Sequence, residues 1–112
     1  MEENPAADPT RPWSHDLVDD VDAELFLKTL KAPAARTLRY LCQHPGEQLS
    51  VLDVARATGA HEEDVRSHVV RVNKYSEAHG HVPLLADDQG LISVSPEASR
   101  VFDTAFEKLF GK

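Results

Sequence analysis

Apolar residues along this chain recur first at helical spacing, then briefly in strand-like runs, then at helical spacing again. From Asp22 to Leu30 the pattern predicts a first helix, with Asp22 as its N-cap and Leu25, Phe26 and Leu30 as its apolar contacts. Pro33 suits the opening turn of a second helix, PAARTLRYLCQHPG, because the N–H it lacks has no helical partner there; Pro45-Gly46 end it. Ala34, Leu38, Leu41 and Cys42 form its inner stripe, opposite Arg36, Arg39, Tyr40 and Gln43. Ser50 then caps a short third helix, and Asp53 completes a capping-box pattern. Leu52, Val54 and Ala55 are expected on its buried side, and Gly59 closes it, since a residue without Cβ turns left-handed freely. A fourth helix runs to about Ala78, with Val65, Val69 and Val72 on one stripe. After His79-Gly80 the runs HVPLL and LISVS, joined by Ala86-Asp87-Asp88-Gln89-Gly90, predict a β-hairpin at about 81–95. Ser95 and Pro96 open a last helix at about 96–110, with Val101, Phe102, Ala105, Phe106 and Leu109 inside.

Small Ala55, the turn at Gly59 and the V-x-x-x-V-x-x-V stripe let the third and fourth helices cross closely and steeply. That is a helix-turn-helix at about 50–78, whose second helix is presented outward, often to the DNA major groove. With a hairpin directly after it, the chain from about Leu25 to Leu109 resembles the winged helix-turn-helix superfamily of bacterial transcription regulators, in the broad MarR/ArsR style. VARATGAHEEDVRSHVVRV followed by the hairpin carries the resemblance. It implies a mainly α fold with a short β-hairpin, and a sequence-specific DNA-binding regulator that uses the outward face of the helix around 62–78. The alternative is a winged-helix module that binds only protein, because fold does not fix function.

The face opposite Val65, Val69 and Val72 carries Glu63, Ser67, Val70, Arg71 and Lys74, with Arg66 at its edge. Arg71 suits a bidentate contact to guanine, Ser67 a base or phosphate, and Val70 a thymine methyl. Lys74 and Arg66 suit phosphates. Arg66, Ser67, Val70, Arg71 and Lys74 are therefore the candidate DNA-binding residues, with double-stranded DNA as the expected partner. Lys28, Lys31, Arg36 and Arg39 could reach flanking phosphates. Acidic groups oppose this. Glu62-Glu63-Asp64 suit the dipole of a helix start but repel a nucleic-acid backbone. Asp87 and Asp88 stand at the hairpin tip, where relatives of the resemblance commonly carry Arg or Lys, so no DNA contact is expected there.

The formal net charge of −7 belongs to one end. The first 24 residues hold eight acids and Arg11, while the other 88 balance at eleven acids and eleven bases. Residues 1–20 are polar and proline-containing, and are expected to be a flexible acidic tail, with the folded domain over 21–112. Such a tail could compete with DNA for the basic face. Trp13 stands apart, since a tryptophan in a polar stretch more often folds back onto its own domain.

Other chemistry is thinly represented. His79-x-His81 and Cys42 with His44 are the nearest approach to metal-ligand pairs, and no CxxC, HExxH or carboxylate cluster joins them. No phosphate-binding loop or nucleophile elbow is present, so neither a cofactor nor an enzyme is expected. A single cysteine, Cys42, excludes an internal disulfide and fits a reducing cytoplasm. No apolar run is long enough to span a membrane. His61 and His68 could give a mild pH response. Phe102, Phe106, Leu109 and Phe110 offer more aromatic surface than one small core needs, and suggest a homodimer through the last helix.

Overall fold

The computed structural model describes residues 11–14 and 16–111. Five helices and three short strands follow one another as α1 (Leu17–Thr29), α2 (Ala32–Cys42), β1 (Leu49–Ser50), α3 (Val51–Thr58), α4 (Glu62–Ala78), β2 (Leu85–Asp88), β3 (Leu91–Val94) and α5 (Pro96–Phe110). The architecture is mainly helical with a small antiparallel sheet of strand order β1-β3-β2. No described helix is long and apolar enough to cross a membrane.

Local chemistry sets most boundaries. The Ser50 hydroxyl accepts from the Asp53 N–H at 3.1 Å, and Ser95 does the same for Ala98 at 3.2 Å, with Pro96 in the first turn of α5. Gly59 ends α3 at φ 75°, a left-handed conformation that costs glycine nothing, and the buried side of the helix is Val51, Val54 and Ala55, with Leu52, expected there, exposed instead. Ala60 and His61 complete the turn, and α4 begins at Glu62.

The core lies where α5 packs on α1 and α2. Phe26 and Phe102 are fully buried and meet edge to face at 5.2 Å between centroids. Leu38, Leu41, Val54, Val65, Val72 and Ile92 join them from the remaining elements. Ser99 donates to the Cys42 carbonyl at 2.6 Å and fixes α5 over the end of α2. Phe102 and Phe106 are spent on this core, leaving Leu109 half-buried and Phe110 exposed. The aromatic surplus expected of the last helix thus shrinks to one ring.

The amino-terminal end departs from the expected picture. The first helix starts at Leu17, with Asp16 rather than Asp22 as N-cap, and the Asp16 carboxylate accepts from the Asp19 N–H at 2.8 Å. The capping signal was present, but lay among acids whose composition suggested a tail. Of the expected flexible segment 1–20, residues 1–10 and 15 lie outside the described residues. Residues 11–14 and 16–20 are ordered against the body through a few anchors while Leu17 and Val18 stay exposed: Trp13 and Asp19 are buried, and Arg11 bridges His81 in parallel through Val82 N–H to Arg11 O at 2.9 Å. The expectation that Trp13 folds back onto its own domain agrees with this burial.

The hairpin is tighter than the five-residue connection expected. Asp87 pairs with Ile92 and Asp88 with Leu91, leaving Gln89-Gly90 as the turn at φ 56° and 87°. Two positive φ values match the twist of a two-residue hairpin loop. HVPLL contributes only its last leucine to a strand, since Pro83 has no N–H for a ladder. β1 was not anticipated. Its two residues pair Leu49 with Ile92 and Ser50 with Leu91, making β3 the central strand.

Asn73 fastens the hairpin to α4. Its amide donates to the Leu85 carbonyl at 3.0 Å and accepts from the Leu85 N–H at 2.8 Å. Leu85 is buried, so Asn73→Ala strands both groups and is expected to cost about 1–3 kcal/mol in urea unfolding. A loss below ~0.5 kcal/mol, the level of a neutral surface change, would deny the clamp its role.

Candidate nucleic-acid interface

α4 is two-sided. Val65, His68, Val69, Val72 and Ser76 turn into the protein. Arg66, Ser67, Val70, Arg71 and Lys74 turn outward and, with Tyr75, line one shallow depression of about 500 Å³. The five residues singled out from the helical wheel are therefore brought together. Val70 is 54% exposed in the middle of this polar surface. Arg66 lies 3.9 Å from Glu62, one turn earlier. Arg71 and Lys74 form no ion pair among the described residues.

The basic surface continues beyond α4. Arg71 also borders a second depression of about 350 Å³, with Lys31, Arg36, Asp64 and His68 on its walls. Arg36 in turn borders a third, with Arg39, Tyr40 and Gln43 on α2 and Thr58 at the end of α3. A track of cations thus runs from Lys74 through Arg71 and Arg36 to Arg39. The Arg39 guanidinium is partly engaged within the protein, 5.4 Å over the Phe106 ring. Lys28 lies further off, in the groove between α1, α2 and α5.

Acids border the same surface. Glu62, Glu63 and Asp64 are exposed in the first turn of α4. Asp87 and Asp88 are exposed at the hairpin tip, and Asp87 has a local role, accepting from the Gly90 N–H at 3.3 Å. Several acids of the amino-terminal end are occupied elsewhere. Asp19 binds Arg11 at 2.8 Å, Asp22 lies 3.2 Å from His81, and Glu24 pairs with Lys108 at 3.2 Å. Competition for the basic face by residues 16–24 is therefore weakened; Glu2, Glu3 and Asp8 lie outside the described residues.

His68 was noted in the sequence only as a helix histidine, but its position is specific. It is buried beneath the outward face, with Nδ1 2.8 Å from the Thr37 hydroxyl of α2. Burial lowers its pKa from the usual 6.5; Asp64 opposes the shift, and Arg71 and Arg36 add to it. The folded state therefore prefers neutral His68 more than the unfolded chain does. Its contribution to stability is full above about pH 6.5 and is lost as pH falls through the lower folded value. Urea midpoints are expected to decline from pH 7 toward pH 5, and His68→Gln to flatten part of that decline. An equal decline in the variant would remove His68 as its source.

A second polar cluster lies among α1, the strap at 11–14 and His81. Asp19, Asp22 and His81 bring their ligand atoms within 4.8 Å of one another, spacing that could suit a metal ion. Arg11 already donates two bonds to Asp19 Oδ1, at 2.9 and 2.8 Å, and the Ser14 N–H fills Oδ2 at 2.7 Å. In a neutral imidazole the His81 proton belongs on Nε2, facing Asp22, because Nδ1 has no described partner. Trp13 stacks on His81 at 3.7 Å between centroids. This arrangement is an ion-paired knot holding the strap. Of the other sulfur and histidine pair considered, Cys42 is buried and its thiol is pushed well above its usual range by that burial. His44 lies against the Tyr40 ring at 4.6 Å between centroids, the planes tilted by 50°, and faces Glu47 at 3.7 Å.

No protein-family model, curated protein or solved structure matches this chain.

Proposed function

We propose that the chain is a winged helix-turn-helix protein that binds double-stranded DNA and acts as a cytoplasmic transcription regulator. In this reading α3 and α4 are the helix-turn-helix, β2 and β3 the wing, and α4 lies in the major groove. The observation that carries it is the gathering of Arg66, Ser67, Val70, Arg71 and Lys74 in one depression that joins a second lined by Lys31 and Arg36. An exposed valine among cations suits a thymine methyl, and the flanking cations follow the positions a phosphate backbone would take. The acidic hairpin tip is left out of the contact.

A protein-binding module without DNA affinity is the second reading, favoured by the exposed acids at the start of α4 and at the hairpin. Fluorescence anisotropy against genomic duplex fragments at ~50 mM salt separates them, because phosphate contacts are strongest at low salt. Four phosphate contacts, from Lys31, Arg36, Arg66 and Lys74, predict a fall in affinity of about 100-fold between ~50 and ~200 mM salt. No binding at the lower salt concentration removes the DNA reading and leaves the protein module.

A further inference from the structure

The groove between α1, α2 and α5 combines an apolar floor with cationic walls. Its volume is about 580 Å³, within the range of small-molecule sites. Leu27, Leu30, Ala35 and Phe106 make the floor, and Leu109 and Phe110 extend it toward the end of α5. Phe110 is 58% exposed there, a ring with no place in the core. Lys28 and Arg36 are exposed on the walls, and Arg39 is half-buried with its guanidinium 5.4 Å over the Phe106 ring. None of the three forms an ion pair among the described residues, and no acid is among the described residues that line the groove. The acids nearest in the fold are already engaged or offset little. Glu24 pairs with Lys108, and the Asp103 carboxyl is raised in pKa by burial and then by Glu107, with Arg39 opposing the rise. Covering apolar surface accounts for the long stems of these side chains, but not for three like charges around one floor.

We propose that this groove binds a small monoanion with an apolar body, of the class of medium-chain alkyl carboxylates. The inference is independent of the DNA reading. The floor takes the hydrocarbon, and Arg36 and Arg39 of α2 take the carboxylate. Residues three apart share one face of a helix, and each planar guanidinium matches a carboxylate with two parallel hydrogen bonds. Lys28 adds a point charge from α1. A nucleic-acid backbone suits the groove less well, because its sugars and phosphates gain nothing from the apolar floor. A cationic amphiphile gains the floor but is repelled by all three walls. Each methylene withdrawn from water tightens binding about three- to fourfold, and a ligand of this size reaches a Kd on the order of 100 µM.

Isothermal titration of the full chain with decanoate, below its micellar concentration and without DNA, is expected to saturate at one molecule per chain. Hexanoate, shorter by four methylenes, should bind at least ~30-fold more weakly. Decyltrimethylammonium, with the same chain and the opposite charge, should show no saturable binding. The double variant Lys28→Glu, Arg36→Glu changes two exposed positions, so it is expected to stay folded by circular dichroism and to lose at least ~10-fold in affinity. In the wild-type chain, decanoate should move amide chemical shifts at 27–39 and 106–110 and leave those at 66–74 in place. Failure of decanoate to saturate overturns the proposal, as does undiminished affinity in the double variant or a shift map lying elsewhere. Equal affinity for decyltrimethylammonium overturns it too, since it would mean adhesion of an alkyl chain alone. Sedimentation of the chain by itself as a dimer that Phe110→Ala dissolves would assign the groove to a second copy, and likewise overturn it.

Discussion

Trp13→Ala is expected to destabilise the fold by about 3–5 kcal/mol, the range for truncating a buried large aromatic residue. Trp13 is 4% exposed and packs on Phe102 at 4.8 Å, Phe26 at 6.1 Å and His81 at 3.7 Å between ring centroids. Its indole N–H donates to the Ser76 hydroxyl at 2.8 Å, and Ser76 in turn donates to the Val82 carbonyl at 2.5 Å. Truncation removes the ring, leaves Ser76 without its donor and uncovers His81 above Asp22. A small domain has only about 5–15 kcal/mol of net stability, so a large part of the population at 37 °C is at stake. Urea unfolding measures the change, and Trp13→Phe, which keeps a ring but loses the N–H, should fall between wild type and alanine. A cost below ~1 kcal/mol would mean that the strap at 11–14 contributes little. Any truncation asking whether the acidic start competes with DNA should therefore stop before Arg11, or lost stability will be mistaken for lost affinity.

Arg71→Ala is expected to weaken DNA binding about 10- to 100-fold and to relax preference at one base pair, as for an arginine reading a guanine edge. Arg71 has the central position, bordering both the α4 depression and the one lined by Lys31 and Arg36. It also makes no ion pair among the described residues, so no compensating intramolecular partner is lost on binding. Lys74→Ala should act differently, weakening binding evenly across sequences and lowering the salt slope by about one. Arg100→Ala, exposed on α5 outside these depressions, serves as the reference and should change little. Anisotropy titrations at two salt concentrations distinguish the three outcomes. Equal affinities for Arg71→Ala and Arg100→Ala would mean that the α4 face is not the DNA surface.

Much of the middle and end of the chain was legible because its signals are local. Ser50, Gly59, Ser95 and Pro96 act within one helical turn, and the structure keeps each in the role its chemistry suggests. Val65, Val69 and Val72 define an inside by spacing alone, and their opposite side is the face that the depression gathers. His68 escaped this reasoning because a histidine on a wheel gives no hint of Thr37, which lies 31 residues earlier. Asn73 escaped for the same reason, since its double bond to Leu85 depends on where the hairpin lands.

The amino-terminal end shows the limit most clearly. Composition made residues 1–20 a solvated tail, and within that segment only Trp13 argued otherwise. Its partner Ser76 is 63 residues away, and Arg11 is held by Asp19 and by a bridge to His81. No periodicity or capping rule reaches so far. By itself, the sequence determined the helices from α2 onward, which side of α4 is buried, and which cations share its outer side, since these follow from bonds and spacings within a few residues. Only the tertiary structure decided that the strap is part of the core, that a two-residue β1 completes the sheet, and that α1, α2 and α5 set three cations around one apolar groove. Those features come from burial against distant partners, whose free energy exists only once the helices have packed.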